Sequence, residues 1–175
     1  EVLTEDSPAG TGFLPEVAQG WEAAAEPLAE IGVRTAALRF GVILSRRGGA
    51  LAKMLTPFRM CVGGVVGSGR QYWSWVSIDD VARAVLHTLS TPQLSGPVNV
   101  VSPQPVTNRE FTKALGRALY RPTIFPLPAF VARIVLGEMA DALLLASARV
   151  LPKRLKESGF EFSHPDLDGA LASLL

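Results

Sequence analysis

Cysteine and histidine are scarce in this chain of 175 residues. Cys61 is its only cysteine, and its two histidines, His87 and His164, lie far apart in the sequence. An intramolecular disulfide is therefore excluded, and no histidines and cysteines occur at the short spacings of a metal site. The sequence predicts no metal ion, and a lone cysteine is typical of a protein of the reducing cytoplasm.

Strong net charge and long apolar runs are lacking as well. The formal net charge is +1 and charged residues make up 19% of the chain, so there is no electrostatic reason to expect binding to nucleic acid or to an anionic membrane. Every apolar stretch is interrupted before it reaches the roughly 20 residues that a membrane helix needs. Hydrophobic residues make up 48% of the chain, which is the composition of a folded globular protein.

A start signal is also missing from the first residues. The chain begins Glu1-Val2-Leu3-Thr4, with no methionine and with no basic segment followed by an apolar one, as a signal peptide would have. We therefore expect this sequence to be a fragment of a longer protein.

Helical and strand-like patterns alternate over the first two thirds of the chain. Apolar residues at a spacing of three to four predict helices over 13–31 and 50–62, the second kinked at Pro57. Between them, Val33–Leu44 is almost wholly apolar, as expected of a strand buried on both faces of a parallel sheet. The same reading predicts an antiparallel pair over 63–69, strands over 72–78 and 97–101, and helices over 81–89 and 108–119.

Polar residues at the starts of the helices predicted over 81–89 and 108–119 predict the caps of these helices. Asp79 or Asp80 is expected to cap the helix that follows it, because adjacent residues at a helix start point in different directions and so make a poor catalytic pair. Thr107 or Asn108 is expected to cap the next helix, with Glu110 in its first turn. Gly67-Ser68-Gly69 is interpreted as a turn, with phosphate binding as the alternative.

A change in composition near residue 121 predicts a domain boundary. Arg121–Pro128 contains three prolines, which favours a linker. Beyond it the pattern is helical, and we predict an α/β domain over 1–120 and a helical domain over 121–175. The predicted helices of the second domain are Ala129–Leu136, Met139–Val150, Pro152–Ser158 and Asp166–Leu175.

Several short motifs occur in the order that one protein family uses. Arg39-Phe40-Gly41-Val42-Ile43-Leu44 is followed by Gly48-Gly49, and a strand with two tryptophans then leads to Asp79-Asp80. Trp21-Glu22-Ala23-Ala24 precedes these motifs and Gly159-Phe160-Glu161-Phe162 follows them. In this order they resemble the C-terminal half of an extended short-chain dehydrogenase/reductase, and most closely its atypical, epimerase-like branch.

The resemblance implies both a fold and an activity. Residues 1–120 would be the C-terminal part of an NAD(P)-binding, Rossmann-like, doubly wound parallel sheet, and 121–175 the family's small helical C-terminal domain. The glycine-rich cofactor turn would lie upstream of residue 1. The implied protein is an NADP-dependent oxidoreductase or epimerase of unknown substrate. Its expected partners are a small-molecule substrate and, as an option, a second copy of the chain in a homodimer.

The resemblance also implies which residues meet the cofactor. Arg39, Gly41, Val42 and Ile43 would lie at the strand end that closes over the nicotinamide, and the alternative is a buried strand with no ligand. If a ring packs there, Gly41→Trp is expected to abolish NADPH binding without unfolding the protein.

Four residues are predicted to border the substrate pocket, namely Met54, Phe58, Gln71 and Trp73. Trp73 stands where nucleotide-sugar relatives have an arginine that binds the diphosphate, which favours a small and largely apolar substrate. A place for Trp73 and Trp75 in the core is the alternative.

No catalytic residue is assigned. The family's Tyr-x-x-x-Lys motif would fall near Leu14 and Ala18, neither of which can transfer a proton. Two alternatives to an enzyme therefore stay open. One is an NADP(H)-binding sensor that has lost catalysis, and the other is an interaction role for the helical C-terminal domain.

Overall fold

The computed structural model describes residues 1–130 and 144–175. Of the helices predicted over Ala129–Leu136 and Met139–Val150, residues 131–136 and 139–143 lie outside the described residues. The described end of the second, 146–150, is not helical, so the prediction is wrong there. The helices are α1 (Phe13–Ala23), α2 (Glu26–Glu30), α3 (Gly49–Arg59), α4 (Ile78–Ser90), α5 (Asn108–Ala118), α6 (Lys153–Glu157) and α7 (Leu167–Leu174). The strands are β1 (Ala36–Phe40), β2 (Val42–Leu44), β3 (Tyr72–Trp73), β4 (Trp75–Ser77), β5 (Gly96–Val100) and β6 (Val106–Thr107).

Parallel strand pairs form the centre of the fold, as the α/β prediction requires. β1 runs parallel to β5, with Ala36 opposite Gly96, and β2 runs parallel to β4. β3 and β6 form a short antiparallel pair. The antiparallel pair predicted over 63–69 is wrong: in that stretch Val66 makes a single parallel bridge to Leu127 instead.

The long strand predicted over Val33–Leu44 is divided at Gly41. The Gly41 amide donates to the Val100 carbonyl at 3.4 Å, and the next amide, that of Val42, donates to the Ser74 carbonyl at 2.8 Å. Consecutive amides of a regular strand point to opposite edges. Here the amides of Gly41 and Val42 both bond on the same side of their strand. β5 and β4 share that side, because the chain beyond β5 bonds to β4: the Ser102 amide donates to the Trp75 carbonyl at 2.6 Å.

The side-chain alternation shifts at the same point. Leu38, before Gly41, and Ile43, after it, pack against the same apolar cluster although one position is even and the other odd. Val42 packs against a different cluster. An extra residue that reverses the alternation is a β-bulge. The bulge lets one strand exchange β5 for β4 as its neighbour.

Most of the buried apolar residues of the described chain belong to two clusters, and both clusters include residues from the C-terminal region. The second cluster packs Leu155 and Phe160 against β4 and β5. The first cluster joins β2, α3, β3, β4 and α5 to α7 and contains Leu44, Leu51, Leu55, Phe58, Trp73, Trp75, Phe111, Ala114, Leu115, Leu167, Ala170, Leu171 and Leu174. The boundary at residue 121 stays a prediction, and the described parts on either side of it share these two clusters.

Helix caps match the sequence at α5 and differ at α4. Thr107 and Glu110 form the expected capping box at α5, and the bonds from Thr107 hold the pKa of Glu110 below its usual value. The prediction for α4 is wrong, because its cap is Ser77, whose hydroxyl accepts the Asp80 amide at 3.0 Å. The Asp80 side chain is buried and does not cap the helix.

The helix predicted over 13–31 divides into α1 and α2, and Gly32 follows them with a φ of 81°. Pro57 lies in the last turn of α3 and does not split that helix. The missing amide of Pro57 removes one helix hydrogen bond, and the helix ends within the same turn, at Arg59.

Candidate functional site

The bulge at Gly41 lies at the carboxyl end of β1, where the chain passes from its pairing with β5 to its pairing with β4. In open parallel sheets, ligands bind outside the carboxyl ends of the strands. Phe40, the last residue of β1, is 45% exposed. The segment that the sequence assigns to the cofactor therefore lies at the edge of the sheet where such a ligand is expected.

Gly41 is required by the protein's own packing. A Cβ at this position would lie 2.5 Å from the Ser74 carbonyl oxygen and 2.9 Å from a methyl group of Val101. The expectation that Gly41→Trp leaves the protein folded is wrong, because the first added carbon already collides with backbone. A change at Gly41 cannot separate cofactor binding from folding.

Arg39 is held by α1. Its Nε and Nη2 donate to the two carboxylate oxygens of Glu22, both at 2.6 Å. The hydrogen bonds of this pair lower the pKa of Glu22 and raise the pKa of Arg39. The arginine side chain is 40% exposed, so the pair is an accessible clamp between α1 and β1.

Val42 and Ile43 are half-buried on opposite faces of the strand. Val42 packs against the first cluster and Ile43 against the second. Because the amide of Val42 donates to β4, strand alternation directs the backbone groups of Ile43 to the opposite edge. The structure thus brings the four predicted cofactor residues together along one strand, and their contact with a cofactor stays a prediction.

The residues predicted to border the substrate pocket have packing contacts of their own. Phe58 and Trp73 lie in the first cluster, and Met54 packs against it. The Trp73 ring packs on Phe111 with 5.2 Å between centroids. The observed burial of Trp73, 5% exposed, agrees with the alternative of a core position.

The polar groups of these residues are also bonded within the protein. The Trp73 Nε1 donates to the Leu144 carbonyl at 3.3 Å. The Gln71 Nε2 donates to the carbonyls of Val66 and Leu144, at 2.9 and 3.1 Å. A pocket bordered by Met54, Phe58, Gln71 and Trp73 therefore stays a prediction.

Two open depressions on the described surface lie elsewhere. One, of about 620 Å³, lies near the end of α5 and is lined by Lys113, Gly116, Arg117, Tyr120, Arg121, Pro122 and Thr123. The other, of about 340 Å³, lies between α4 and Phe160. Neither is lined by a residue that the sequence assigned to cofactor or substrate.

Metal-ligand clusters and membrane-length helices can be assessed for the described parts of the chain. Over 1–130 and 144–175, no three residues of His, Cys, Asp and Glu lie close enough to hold a metal ion. In the same ranges, no helix combines the length and the apolar character needed to cross a bilayer.

Sequence reasoning missed two polar residues that organise this region. Asp80 is fully buried, and its carboxylate accepts the amides of Ser163 and His164, at 2.7 and 3.0 Å. Ser74 is 7% exposed and lies between Trp73 and Trp75. A serine between two tryptophans, in a stretch predicted as one strand over 72–78 and divided at Ser74 in the structure, was the available signal, since a buried hydroxyl needs partners.

Part of the chain matches a known family model. Residues 127–174 match the family described as "Domain of unknown function (DUF1731)". The match covers α6, α7 and the segment that leads to them.

Curated relatives match nearly the whole chain. It is 44% identical over 171 residues to an epimerase family protein of Mycobacterium leprae, which covers 98% of this chain and 56% of the relative. It is 40% identical over 172 residues to the human epimerase family protein SDR39U1, which covers 98% of this chain and 58% of the relative. The chain thus spans less than two thirds of the length of these relatives.

Solved structures match as closely. A crystal structure of human SDR39U1 with NADPH matches with a TM-score of 0.94 and 38% identity, covering 99% of this chain and 59% of that one. A nucleoside-diphosphate sugar epimerase of Corynebacterium glutamicum matches with a TM-score of 0.80 and 36% identity, covering 99% and 33%. A UDP-N-acetylglucosamine 4-epimerase of Bacillus cereus, at 14% identity and a TM-score of 0.75, shares the fold.

Proposed function

Because this chain is related along nearly its whole length to epimerase family proteins, we propose that it is part of an NADP(H)-binding, epimerase-like oxidoreductase whose substrate is unidentified. The observation that carries the proposal is the bulge at Gly41 and Val42, at the carboxyl end of a parallel strand. Bulges occur often beside active sites because they re-aim the neighbouring residues. The similarity to a relative crystallised with NADPH supports this choice of cofactor.

The bulge gives different roles to the residues at and after the end of β1. Gly41 and Val42 have their amides committed to Val100 and Ser74, so they hold the strand in place. Ile43 directs its backbone groups away from β4, which makes it the group on this segment best placed to meet a nicotinamide. Arg39, clamped by Glu22, would order the adjoining surface of α1. The cofactor itself would supply the hydride chemistry.

A second feature supports the view that this chain forms only part of the site. No residue of α1 or α2 is buried, and Phe13 and Trp21 are each 77% exposed. Among the described residues, β1 is paired along one edge only, with β5. An open strand edge beside exposed apolar side chains needs a covering element. We propose that the further length found in the relatives covers this face and carries the glycine-rich turn.

A titration of the intact protein with NADPH, followed by cofactor fluorescence, tests the proposal. Arg39→Met should weaken binding about tenfold, or roughly 1.4 kcal/mol, because α1 and the strand end lose their clamp. Arg117→Met is the matched control, since Arg117 also binds both oxygens of a carboxylate, that of Asp168, at 2.7 and 3.0 Å. An intact protein that binds neither NADPH nor NADH would contradict the proposal.

The sensor is the second candidate function, and α1 favours it. Leu14 and Ala18, near the positions where the family's tyrosine and lysine would fall, are exposed on α1 and have no group that transfers a proton. Stabilisation by NADPH without turnover of any carbonyl substrate would support the sensor. Turnover of such a substrate would exclude it.

The same experiments address the substrate. Arg70, three residues before Trp73, is the nearby cation that could hold a diphosphate. Strong thermal stabilisation by UDP- or GDP-sugars, lost in Arg70→Ala, would contradict the small apolar substrate that Trp73 favours. The homodimer is tested by the mass of the intact protein in solution. We place the protein in the cytoplasm because it has a single cysteine, although one relative, of Arabidopsis thaliana, is named as chloroplastic.

A further inference from the structure

Ser74 lies where three parts of the chain meet. Its carbonyl oxygen accepts the Val42 amide at 2.8 Å and closes the space beside Gly41. Its hydroxyl donates to the Ala148 carbonyl at 2.7 Å and accepts the Val150 amide at 2.9 Å. One buried residue therefore joins the bulge to the C-terminal region.

The segment 144–151 is attached along residues 72–74, that is, along β3 and the residue between β3 and β4. The Tyr72 amide donates to the Ser147 hydroxyl at 3.0 Å, and the Ala148 amide donates to the Tyr72 carbonyl at 3.2 Å. On its other side, the segment pairs with Leu3 through the Leu3 and Leu151 amides. It is thus held from both sides, which makes it a firm support for the Ser74 hydroxyl.

We infer that Ser74 is a positioning residue through which the C-terminal region, the part matched to a domain of unknown function, sets the geometry of the bulge and hence the affinity for the dinucleotide. The second half of this inference rests on the proposed function. It gives the C-terminal region a role in the site.

The physical reason is the tight fit on the strand side of Ser74. Gly41 approaches the Ser74 carbonyl so closely that no added carbon fits, and the amide of Val42 is bonded to the same oxygen. A shift of a few tenths of an ångström in Ser74 must therefore move the bulge. Without its hydroxyl, Ser74 would also leave the Ala148 carbonyl and the Val150 amide without that partner in a half-buried place. Sites that bind a ligand tolerate about 0.5 Å of such displacement.

Ser74→Ala in the intact protein tests this inference, with Ser102→Ala as the matched control. Ser102 is also buried, and its hydroxyl donates to a carbonyl of the C-terminal region, that of Pro165, at 2.8 Å. Hydrogen exchange should rise about tenfold for the amides of residues 41–44 in Ser74→Ala and stay within twofold in Ser102→Ala. NADPH affinity should fall about fivefold in the first variant only.

The two measurements, hydrogen exchange and NADPH affinity, distinguish failure of the inference from failure of the proposed function. If the wild-type protein binds no NADPH, the proposed function fails, and hydrogen exchange at residues 41–44 still decides whether Ser74 positions the bulge. Equal exchange at 41–44 in the two variants would overturn the inference. Should Ser74→Ala not fold, Val150→Pro removes the amide that donates to the same hydroxyl, and the same local rise in exchange is required of it.

Discussion

Helices α1 and α7 have similar apolar patterns, but the apolar face of α7 is buried and that of α1 is exposed. In α7, which packs against α5, Leu167, Ala170, Leu171 and Leu174 are all buried. In α1, no residue is buried, and Trp21 is 77% exposed. An apolar stripe indicates that a helix face is buried in the folded protein, but it does not identify the element that covers this face. The partner of α7 lies within this chain, whereas the apolar side of α1 has no cover among the described residues.

The difference has an energetic consequence. Burying one large apolar side chain stabilises a protein by about 1.5–3 kcal/mol. That contribution is available to α7 within this chain, while α1 gains it only when another element covers it. The covered region should therefore be sensitive to mutation in the chain alone, and the open region should become sensitive only in the intact protein.

The largest expected effect is on the buried side of the comparison. Leu171→Ala should lower the free energy of unfolding by about 2–5 kcal/mol, because it leaves a cavity in the first cluster. Trp21→Ala in the same chain should change it by less than about 0.5 kcal/mol. Denaturant unfolding of both variants measures the difference. A loss at Trp21 as large as that at Leu171 would show that α1 is already covered within this chain.

Asp79 and Asp80 sharpen the comparison at the level of single neighbours. Asp80→Ala should cost about 3 kcal/mol, because the buried carboxylate accepts bonds from the Ser77 hydroxyl and from the amides of Ser163 and His164. The Asp79 side chain is 60% exposed, and Asp79→Ala should cost less than about 0.5 kcal/mol. Thermal unfolding of the two variants is the measurement. Equal shifts would contradict the assignment of Asp80 as the link to the C-terminal region.

Two glycines, one at the packed bulge and one in the exposed helix α1, should respond with opposite signs. Gly41→Ala should destabilise the protein by about 1–3 kcal/mol, because the new carbon meets the Ser74 carbonyl. Gly20 lies inside α1 with open space around it, so Gly20→Ala should stabilise the protein by up to about 1 kcal/mol through helix propensity. Melting temperatures of the two variants test the signs. A stable Gly41→Ala would show that the strand relaxes at the bulge.

The smallest effect concerns the clamp between α1 and β1. The pKa of Glu22 is lowered by its hydrogen bonds with Arg39, so its contribution to stability is present above the unfolded pKa and is lost as the pH falls through the folded pKa. With a partly exposed pair, the change should not exceed about 1 kcal/mol. Glu22→Gln should flatten this part of the profile, measured as stability from pH 6 to pH 3. An unchanged profile would mean that the clamp adds nothing to stability.

The sequence by itself determined the features that depend on neighbours a few residues apart. The capping box of Thr107 and Glu110 follows from local spacing, because side chains three or four residues apart meet on a helix. The α/β alternation follows from the local periodicity of apolar residues. The resemblance to epimerase family proteins also rested on short motifs, and it is confirmed by relatives at 44% and 40% identity.

Only the tertiary structure decided what Gly41, Ser74 and Asp80 do. Each of them acts through a partner far along the chain: Gly41 through Val100, Ser74 through Val150, and Asp80 through Ser163. No local pattern specifies which distant amide a carbonyl, hydroxyl or carboxylate will meet, because that depends on how the strands and helices pack. The same reason applies to α1. Its apolar face can be recognised from the sequence, but the element that covers this face cannot.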